Sequence, residues 1–200
     1  MTVATIPPCC RSAPPSDEQL LTCYAEGRRD ALDELFRRYR LASYRVAYRL
    51  LGHEADALDA VQEGFIKALT HLGGFQGRSS FKTWLLRVVS NAALDLGRQR
   101  GRRETLSIEG SSPRDGDGVQ PLTPDLTALG LERQDLRRLL NEALATLPEV
   151  QRRTFVLHTD GELSYREVAE VMDISIGTVM SRLYYARQKL RTYLARRIQL

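Results

Sequence analysis

The sequence is short of cysteine, lacks long apolar runs and has no secretion signal, and each shortage excludes a class of protein. Cys9, Cys10 and Cys23 are an odd number without CxxC spacing, so neither a disulfide framework nor a zinc cage is indicated. No run of about 18 or more apolar residues is present, which argues against a membrane span. Residues 1–16 lack a basic start followed by an apolar stretch. We therefore expect a cytoplasmic protein with no membrane insertion.

Patterns that carry catalysis or bind cofactors are also missing. His53, His71 and His158 lie far apart without metal-ligand spacing. The sequence contains no Walker motif, nucleophile elbow or glycine-rich nucleotide motif. Carboxylates between residues 56 and 63 keep an enzyme open as one alternative. We nevertheless expect no catalytic residue, no metal site and no cofactor.

What the sequence does contain is helical periodicity in two blocks. Apolar residues recur at helical spacing over 17–103 and again over 129–200, and no strand-like alternation of any length is present. The proline-rich segment 1–16 is predicted to be a disordered tail. The segment 104–128, rich in serine, proline, glycine and aspartate, is predicted to be a flexible acidic linker. The predicted fold is all-α, with two small helical domains joined by this linker.

The positive charge is concentrated in patches. The formal net charge is only +4, yet no acidic residue follows Ser181, and the end of the first helical block is also basic. The two patches comprise Arg98, Arg100, Arg102 and Arg103, and Arg182, Arg187, Lys189, Arg191, Arg196 and Arg197. Clustered positive charge favours a polyanionic partner such as DNA.

Two helix starts close together near residue 170 indicate a helix-turn-helix. Ser164 and Glu167 have the spacing of a capping box, and Leu163 and Val168 occupy the positions of a hydrophobic staple. A second helix is predicted to start at Ser175. Two short helices around so brief a turn form the DNA-binding motif in which the second helix enters the major groove.

The second helix of this motif is predicted to present its N-terminal half to base edges and its basic end to phosphates. The residues expected to face DNA are Ser175, Thr178, Ser181, Arg182 and Arg187. The alternative is an ordinary helical hairpin with a solvated basic end. Two caps and a one-sided charge run favour DNA binding.

The segment 56–65 predicts a helix with two distinct faces. Leu58, Val61, Phe65 and Leu69 are predicted to form the buried face. The other face is acidic and carries Asp56, Asp59, Gln62 and Glu63. Because an acidic face repels DNA, it faces either water or a basic protein partner.

A glycine-containing loop at 73–78 leads into a further helix, capped by Ser79 or Ser80. The only tryptophan, Trp84, lies here, and polar and basic residues follow at helical intervals. Aromatic and polar groups beside basic ones are typical of surfaces that capture unstacked bases. We expect Trp84 and Leu85 to belong to the core, and the loop and the polar side of the helix to hold a DNA strand.

These motifs together resemble those of sigma factors. Asp56, Asp59, Gln62 and Glu63 match the D-x-x-D-x-x-Q-E pattern of region two, and Phe75 to Leu85 matches its promoter-melting stretch. Gly177 to Arg187 resembles the recognition helix of region four, G-T-V-x-S-R-L-x-x-A-R. The lack of a folded region between the two blocks resembles the extracytoplasmic-function group.

The resemblance implies a role for each surface. The acidic helix would dock on the beta-prime clamp coiled coil of the RNA polymerase core, and region four would bind the minus-thirty-five element and the beta flap. The residues implied for recognition and melting of the minus-ten element are Phe75, Arg78, Ser79, Ser80, Asn91, Asp95 and Arg98. The resemblance also implies an anti-sigma factor that masks the polymerase-binding surfaces.

Several residues depart from the family pattern. Met180 stands where a basic residue is common, and Asp173 replaces the usual glycine of the turn. Aspartate tolerates the left-handed conformation better than most residues, so the turn is expected to form. Gly64 and Gly97 are each expected to weaken a helix by about 1 kcal/mol relative to alanine.

The main rival function is a helix-turn-helix transcription regulator that never joins a polymerase holoenzyme. It accounts for 163–200 but leaves the acidic helix and the block at 75–86 without a use. The sequence therefore predicts a sigma factor that directs polymerase core to promoters.

Overall fold

The computed structural model describes residues 14–75, 77–106 and 128–198, and these ranges are helical throughout apart from short turns. The elements are α1 (Asp17–Ala25), α2 (Asp30–Leu51), α3 (Glu54–His71), a 3-10 turn (Leu72–Gly74), α4 (Phe81–Leu106), α5 (Ala128–Ala145), α6 (Glu149–Thr159), α7 (Tyr165–Met172) and α8 (Ile176–Ile198). The all-α prediction is confirmed, since no strand occurs within these ranges. The predicted tail at 1–16 and linker at 104–128 lie largely outside the described residues.

The chain divides into two compact units, residues 1–41 and 42–200, so that the boundary falls within α2. In the first unit, a capping box between Ser16 and Gln19 starts α1. Asp17 then accepts hydrogen bonds from Arg38 at 2.6 Å and from the hydroxyl of Tyr39. Burial and the neighbouring Asp17 raise the pKa of Tyr39, so the phenol stays protonated and keeps donating. These bonds fasten α1 to the first half of α2.

In the second unit, α3 and α4 approach each other closely because small residues line their contact. The buried residues of α3 are Ala57, Ala60, Gly64 and Ala68. A Cβ atom built on Gly64 would lie 2.8 Å from Val89 Cγ2, closer than real Cβ contacts come. Gly64 therefore has a packing role that offsets its poor helix propensity.

The predicted buried face of α3 is wrong for two of its four residues. Leu58 and Leu69 are 54% and 43% exposed, and Val61 and Phe65 are only half-buried. The physical reason is that the helix turns its alanines and glycine toward α4, which lets the two backbones come close. The larger apolar side chains are left at the sides and outside.

The C-terminal helices α6, α7 and α8 pack around large aliphatic side chains. The side chains that are nearly inaccessible to solvent are Val156 and Leu157 of α6, Leu163 just before α7, Val168 of α7 and Leu183 of α8. Val168 and Leu163 are the predicted staple residues, and both are buried as expected. This core holds the helix-turn-helix in one geometry.

Candidate polymerase and nucleic-acid interfaces

The exposed side of α3 carries both acidic and apolar side chains. We call it the α3 outer face, and it consists of Leu58, Asp59, Gln62, Glu63, Ile66 and Leu69. Leu58 and Ile66 are more than half exposed. Glu63 forms a helical ion pair of 2.6 Å with Lys67. Acidic groups interleaved with exposed aliphatic ones are suited to a protein surface that is both basic and apolar.

Asp56 is separated from the rest of the predicted acidic set. Its carboxylate pairs with the guanidinium of Arg100 in α4, and it is less exposed than Asp59 or Glu63. Asp56 therefore joins α3 to α4, while the other three residues of the set remain together on the α3 outer face. Sequence reasoning missed the exposed apolar residues there, because it assigned Leu58 and Leu69 to the buried face and gave Ile66 no place.

The loop before α4 folds its aromatic residue inward. Phe75 lies 5.2 Å from Trp84 and 6.1 Å from Phe81, measured between ring centres, and all three rings form one cluster. Arg78 and Ser80 are exposed, whereas Phe75 and Ser79 are half-buried. Ser80 caps α4, because its hydroxyl accepts from the Thr83 backbone N–H at 3.1 Å.

Three predicted strand-binding residues line up on one exposed side of α4. Asn91, Asp95 and Arg98 follow at helical intervals, and Asp95 lies 3.8 Å from Arg98. Two of them have partners on α6. Asn91 Oδ1 accepts from Arg153 at 2.5 Å, and Arg98 pairs with Glu149 at 2.6 Å. The structure thus brings the α4 residues together, but in contact with the C-terminal helices.

The helix-turn-helix forms as its caps predict. The Ser164 hydroxyl accepts from the Glu167 backbone N–H while the Glu167 carboxylate accepts from the Ser164 N–H, which completes the capping box of α7. Asp173 ends α7 in the left-handed conformation, with φ 53° and ψ 52°. Ser175 then caps α8 by accepting from the Thr178 N–H at 3.1 Å.

The five predicted base- and phosphate-facing residues of α8 differ in how available they are. Ser175 is engaged in the cap, and the Ser181 hydroxyl donates to the Thr178 carbonyl at 3.0 Å. Thr178 and Arg182 are half-buried at the sides of the helix, whereas Arg187 is exposed. Arg182 and Arg187 therefore offer the charged groups of this set.

An apolar and aromatic stripe on α8 was missed. Ile176, Met180 and Tyr184 follow at intervals of four residues, and each is about half exposed or more. Tyr185 stacks edge-on against Tyr184 with ring centres 5.5 Å apart. The exposed stripe lies opposite the buried residues of α8, which are Val179, Leu183, Ala186 and Leu190. The helical period of the sequence could therefore have predicted the stripe.

Two further classes of site are not formed by the part of the chain that the structure describes. No group of three or more histidine, cysteine, aspartate or glutamate side chains is placed to hold a metal ion there. Nor does any helix in those ranges have the length and apolar character needed to cross a membrane.

Comparison with known proteins places both blocks of the chain. The family Sigma-70 region 2 matches residues 35–103, and Sigma-70, region 4 matches residues 137–190. The chain is 35% identical to the ECF RNA polymerase sigma factor SigE of Mycolicibacterium smegmatis over 91% of its own length and 70% of that protein. It is 34% identical to the ECF RNA polymerase sigma-E factor of Escherichia coli over 88% of its own length and 92% of that protein.

Solved structures agree with these relatives. CnrH, in complex with the cytosolic domain of CnrY, matches with a TM-score of 0.68 and 26% identity over 90% of this chain and 97% of that one. The sigma factor RpoE of Bartonella quintana, in complex with the anti-sigma factor NepR, matches with a TM-score of 0.63 and 25% identity over 81% of this chain and 97% of that one.

Helices, caps and comparisons thus define a class, the helical DNA-binding proteins of transcription initiation. Within it, this chain belongs to the sigma-70 family, in the extracytoplasmic-function group. It is a sigma factor that directs RNA polymerase to promoters. Below, region 2 denotes residues 35–103 and region 4 denotes residues 137–190.

Proposed function

We propose that the α3 outer face docks on the beta-prime clamp coiled coil of the polymerase core. The observation that supports this most is the exposure of leucine and isoleucine between carboxylates on the outside of α3. A soluble chain gains nothing from exposing such residues together, whereas a protein interface buries them and pairs the acids. Asp59, Gln62 and Glu63 carry the polar contacts, and Asp56 holds α3 in position through Arg100.

Region 4 reads the minus-thirty-five element with α8 in the major groove and also contacts the beta flap. Arg182 and Arg187 supply charge to bases or phosphates, and the capped start of α8 fixes the helix against α7. Region 2 recognises and melts the minus-ten element, with Arg78, Ser80 and the α4 residues Asn91, Asp95 and Arg98 holding the separated strand.

The chain acts in the cytoplasm, and the chemistry of transcription belongs to the polymerase. An anti-sigma factor holds it inactive. Support for such a partner comes from the two structural neighbours, which were solved in complex with CnrY and with the anti-sigma factor NepR.

Charge reversal on the α3 outer face tests the docking proposal. Asp59→Lys with Glu63→Lys places like charges against a basic partner, and we expect core affinity to fall about 100-fold. Affinity is measured by fluorescence anisotropy with purified core polymerase. Circular dichroism and thermal unfolding report whether the variant is still folded.

The matched control makes the same change of charge elsewhere. Glu18→Lys with Asp33→Lys alters two exposed acids of α1 and α2 outside region 2. The control is expected to bind core as the parent chain does. If the Asp59 and Glu63 variant also bound with parental affinity, the α3 outer face would not be the docking surface.

A further inference from the structure

The side of α4 that carries the proposed strand-binding residues is in contact with region 4. The contacts join residues 51 to 84 positions apart, so they are not a consequence of chain proximity. We call them the interlock, and they consist of the pairs Asn91 with Arg153, Ser90 with Arg153, Arg98 with Glu149 and Thr83 with Glu167.

Arg153 is the central group of the interlock. Its Nη2 atom lies 2.5 Å from Asn91 Oδ1 and 3.0 Å from Ser90 Oγ. Burial lowers the pKa of Arg153 to about 10, against which the nearby Glu149 acts to raise it. The guanidinium is therefore charged at neutral pH, and it donates to the neutral acceptors Asn91 and Ser90 on α4.

A second anchor links the starts of two helices. The Thr83 hydroxyl donates to Glu167 Oε1 at 2.9 Å, and Thr83 lies 2.7 Å from the capping hydroxyl of Ser80. Glu167 is at the same time the capping-box residue of α7. The cap of the strand-holding helix in region 2 and the cap of the helix-turn-helix in region 4 thus share one hydrogen-bonded chain.

A third anchor lies beside these. Arg49, near the end of α2, donates to Asn141 Oδ1 at 2.6 Å and lies 3.4 Å from Asp160. All these contacts are polar. Polar contacts of this kind are typical of surfaces that come apart, because water can replace each partner.

Two features show that the interlock is imperfectly packed. The Nε atoms of Arg152 and Arg153 are buried without a hydrogen-bond partner among the described residues. A cavity of about 360 Å³ also lies where the end of α2, the start of α3 and α4 meet the start of α6, and its lining includes Asp56, Arg98 and Glu149. Unsatisfied donors and an open cavity both favour separation.

We propose that region 4 and the melted promoter strand compete for the same groups of region 2. In the free chain, Arg153 occupies the side-chain oxygens of Asn91 and Ser90, and Glu149 occupies the guanidinium of Arg98. These polar groups of α4 are therefore engaged until the regions separate, although Asn91 and Arg98 themselves are exposed. This inference rests on the proposed strand-binding role of region 2. It adds that the chain's own region 4 occupies the strand-binding groups of α4 when no DNA is bound.

Arg153→Ala tests the competition, because the loss of a positive charge and the opening of the interlock should change the affinity for DNA in opposite directions. Removing a positive charge normally weakens binding to DNA. The interlock instead predicts that the full-length variant binds a single-stranded DNA 30-mer of mixed sequence about tenfold more tightly. That gain follows if the closed form holds about nine-tenths of the free chains.

Two further variants complete the design. Arg138→Ala removes the same charge from a side chain of α5 that is 79% exposed and pairs with Glu142 four residues away, and it should bind the 30-mer slightly more weakly than the parent. Thr83→Val keeps the charge and the shape but removes the bond to Glu167, and it should also tighten binding.

A distance measurement reports opening without DNA. Spin labels at Gln99 of α4 and Glu170 of α7, both exposed, are placed in a chain whose three native cysteines are changed to serine. Electron–electron resonance should give one narrow distance for the parent and a broad, longer distribution for Arg153→Ala. Equal distributions, or an Arg153→Ala variant that binds the 30-mer no better than Arg138→Ala, would overturn the interlock. Loss of core binding by the parent chain would instead overturn the proposed function.

Discussion

The two helix pairs of the chain, α3 with α4 and α7 with α8, pack by opposite means. The first pair places alanines and Gly64 between the backbones and leaves Leu58, Ile66 and Leu69 outside. The second pair places its large aliphatic residues inside and fixes each helix start with a side-chain cap. The difference shows that a helix does not always bury its larger apolar side chains. Where it exposes them beside charges, a partner surface is indicated.

The largest expected difference between the pairs is the loss of stability on replacing a buried leucine compared with an exposed one. Leu163, before α7, is 1% exposed, and Leu163→Ala should lower the free energy of unfolding by about 2–5 kcal/mol through lost burial and a cavity. Leu58→Ala, at a side chain that is 54% exposed, should change stability by less than about 0.5 kcal/mol. Urea unfolding of both variants measures the contrast.

The Leu58 variant has a second readout. If the α3 outer face docks on polymerase core, Leu58→Ala should weaken core binding while its stability is unchanged. Equal losses of stability in the two leucine variants would show that α3 buries its larger apolar side chains as the helix-turn-helix does, contrary to the structure.

Glycine positions on α3 and α4 sharpen the comparison further. Gly64→Ala should lower the free energy of unfolding by about 1–3 kcal/mol, because the new Cβ would meet the Cα of Val89 at 3.0 Å as well as its side chain. Gly97→Ala is the control within a helix. Its Cβ would meet only the Cδ2 tip of Leu51, at 3.3 Å, so better helix propensity should offset the contact.

Thermal and urea unfolding distinguish the two glycine variants. A Gly64→Ala variant as stable as the parent would mean that α3 and α4 can separate slightly at no cost, and the close approach would lose its structural importance.

A smaller effect than that of Gly64→Ala is expected at the turn of the helix-turn-helix. Asp173 has φ 53°, a conformation that glycine adopts without strain. Asp173→Gly should therefore raise the free energy of unfolding by about 0.5–1 kcal/mol, although glycine also gains entropy in the unfolded chain. Chemical unfolding checks the sign. A clear destabilisation would show that the aspartate side chain contributes more than its backbone strain costs.

The helix-turn-helix could be predicted because its signals are local. Ser164 with Glu167, Leu163 with Val168 and Ser175 with Thr178 each lie within five residues of one another, and the structure has all three arrangements. The turn was also predicted to form with Asp173 in place of glycine, and Asp173 has the left-handed conformation. This prediction concerned only the backbone conformation of one residue.

The burial of α3 could not be predicted in the same way. Its sequence contains two apolar stripes, one of alanine and glycine and one of larger residues, and the larger stripe was chosen as the buried face. Which stripe packs depends on how close α4 comes, and that distance is set by Val89 and its neighbours far along the chain. Amphipathic periodicity alone does not contain it.

The interlock was also beyond sequence reasoning. Glu167 was assigned a local role in a capping box and Thr83 was assigned none, and nothing near either residue in the sequence points to the other. The individual roles of Asp59, Asn91 and Arg182 in polymerase or DNA binding remain predictions.

The most direct test of the central claim is promoter-specific transcription with purified core polymerase. Core, the full chain and a library of promoter fragments are combined, and the RNA products are sequenced. We expect the chain to bind core, and transcripts to start from a subset of fragments that share two spaced elements. These transcripts should be absent when the chain is omitted. The sigma-factor function would be contradicted if the chain bound duplex DNA but did not bind core and did not change the sites at which core starts transcription.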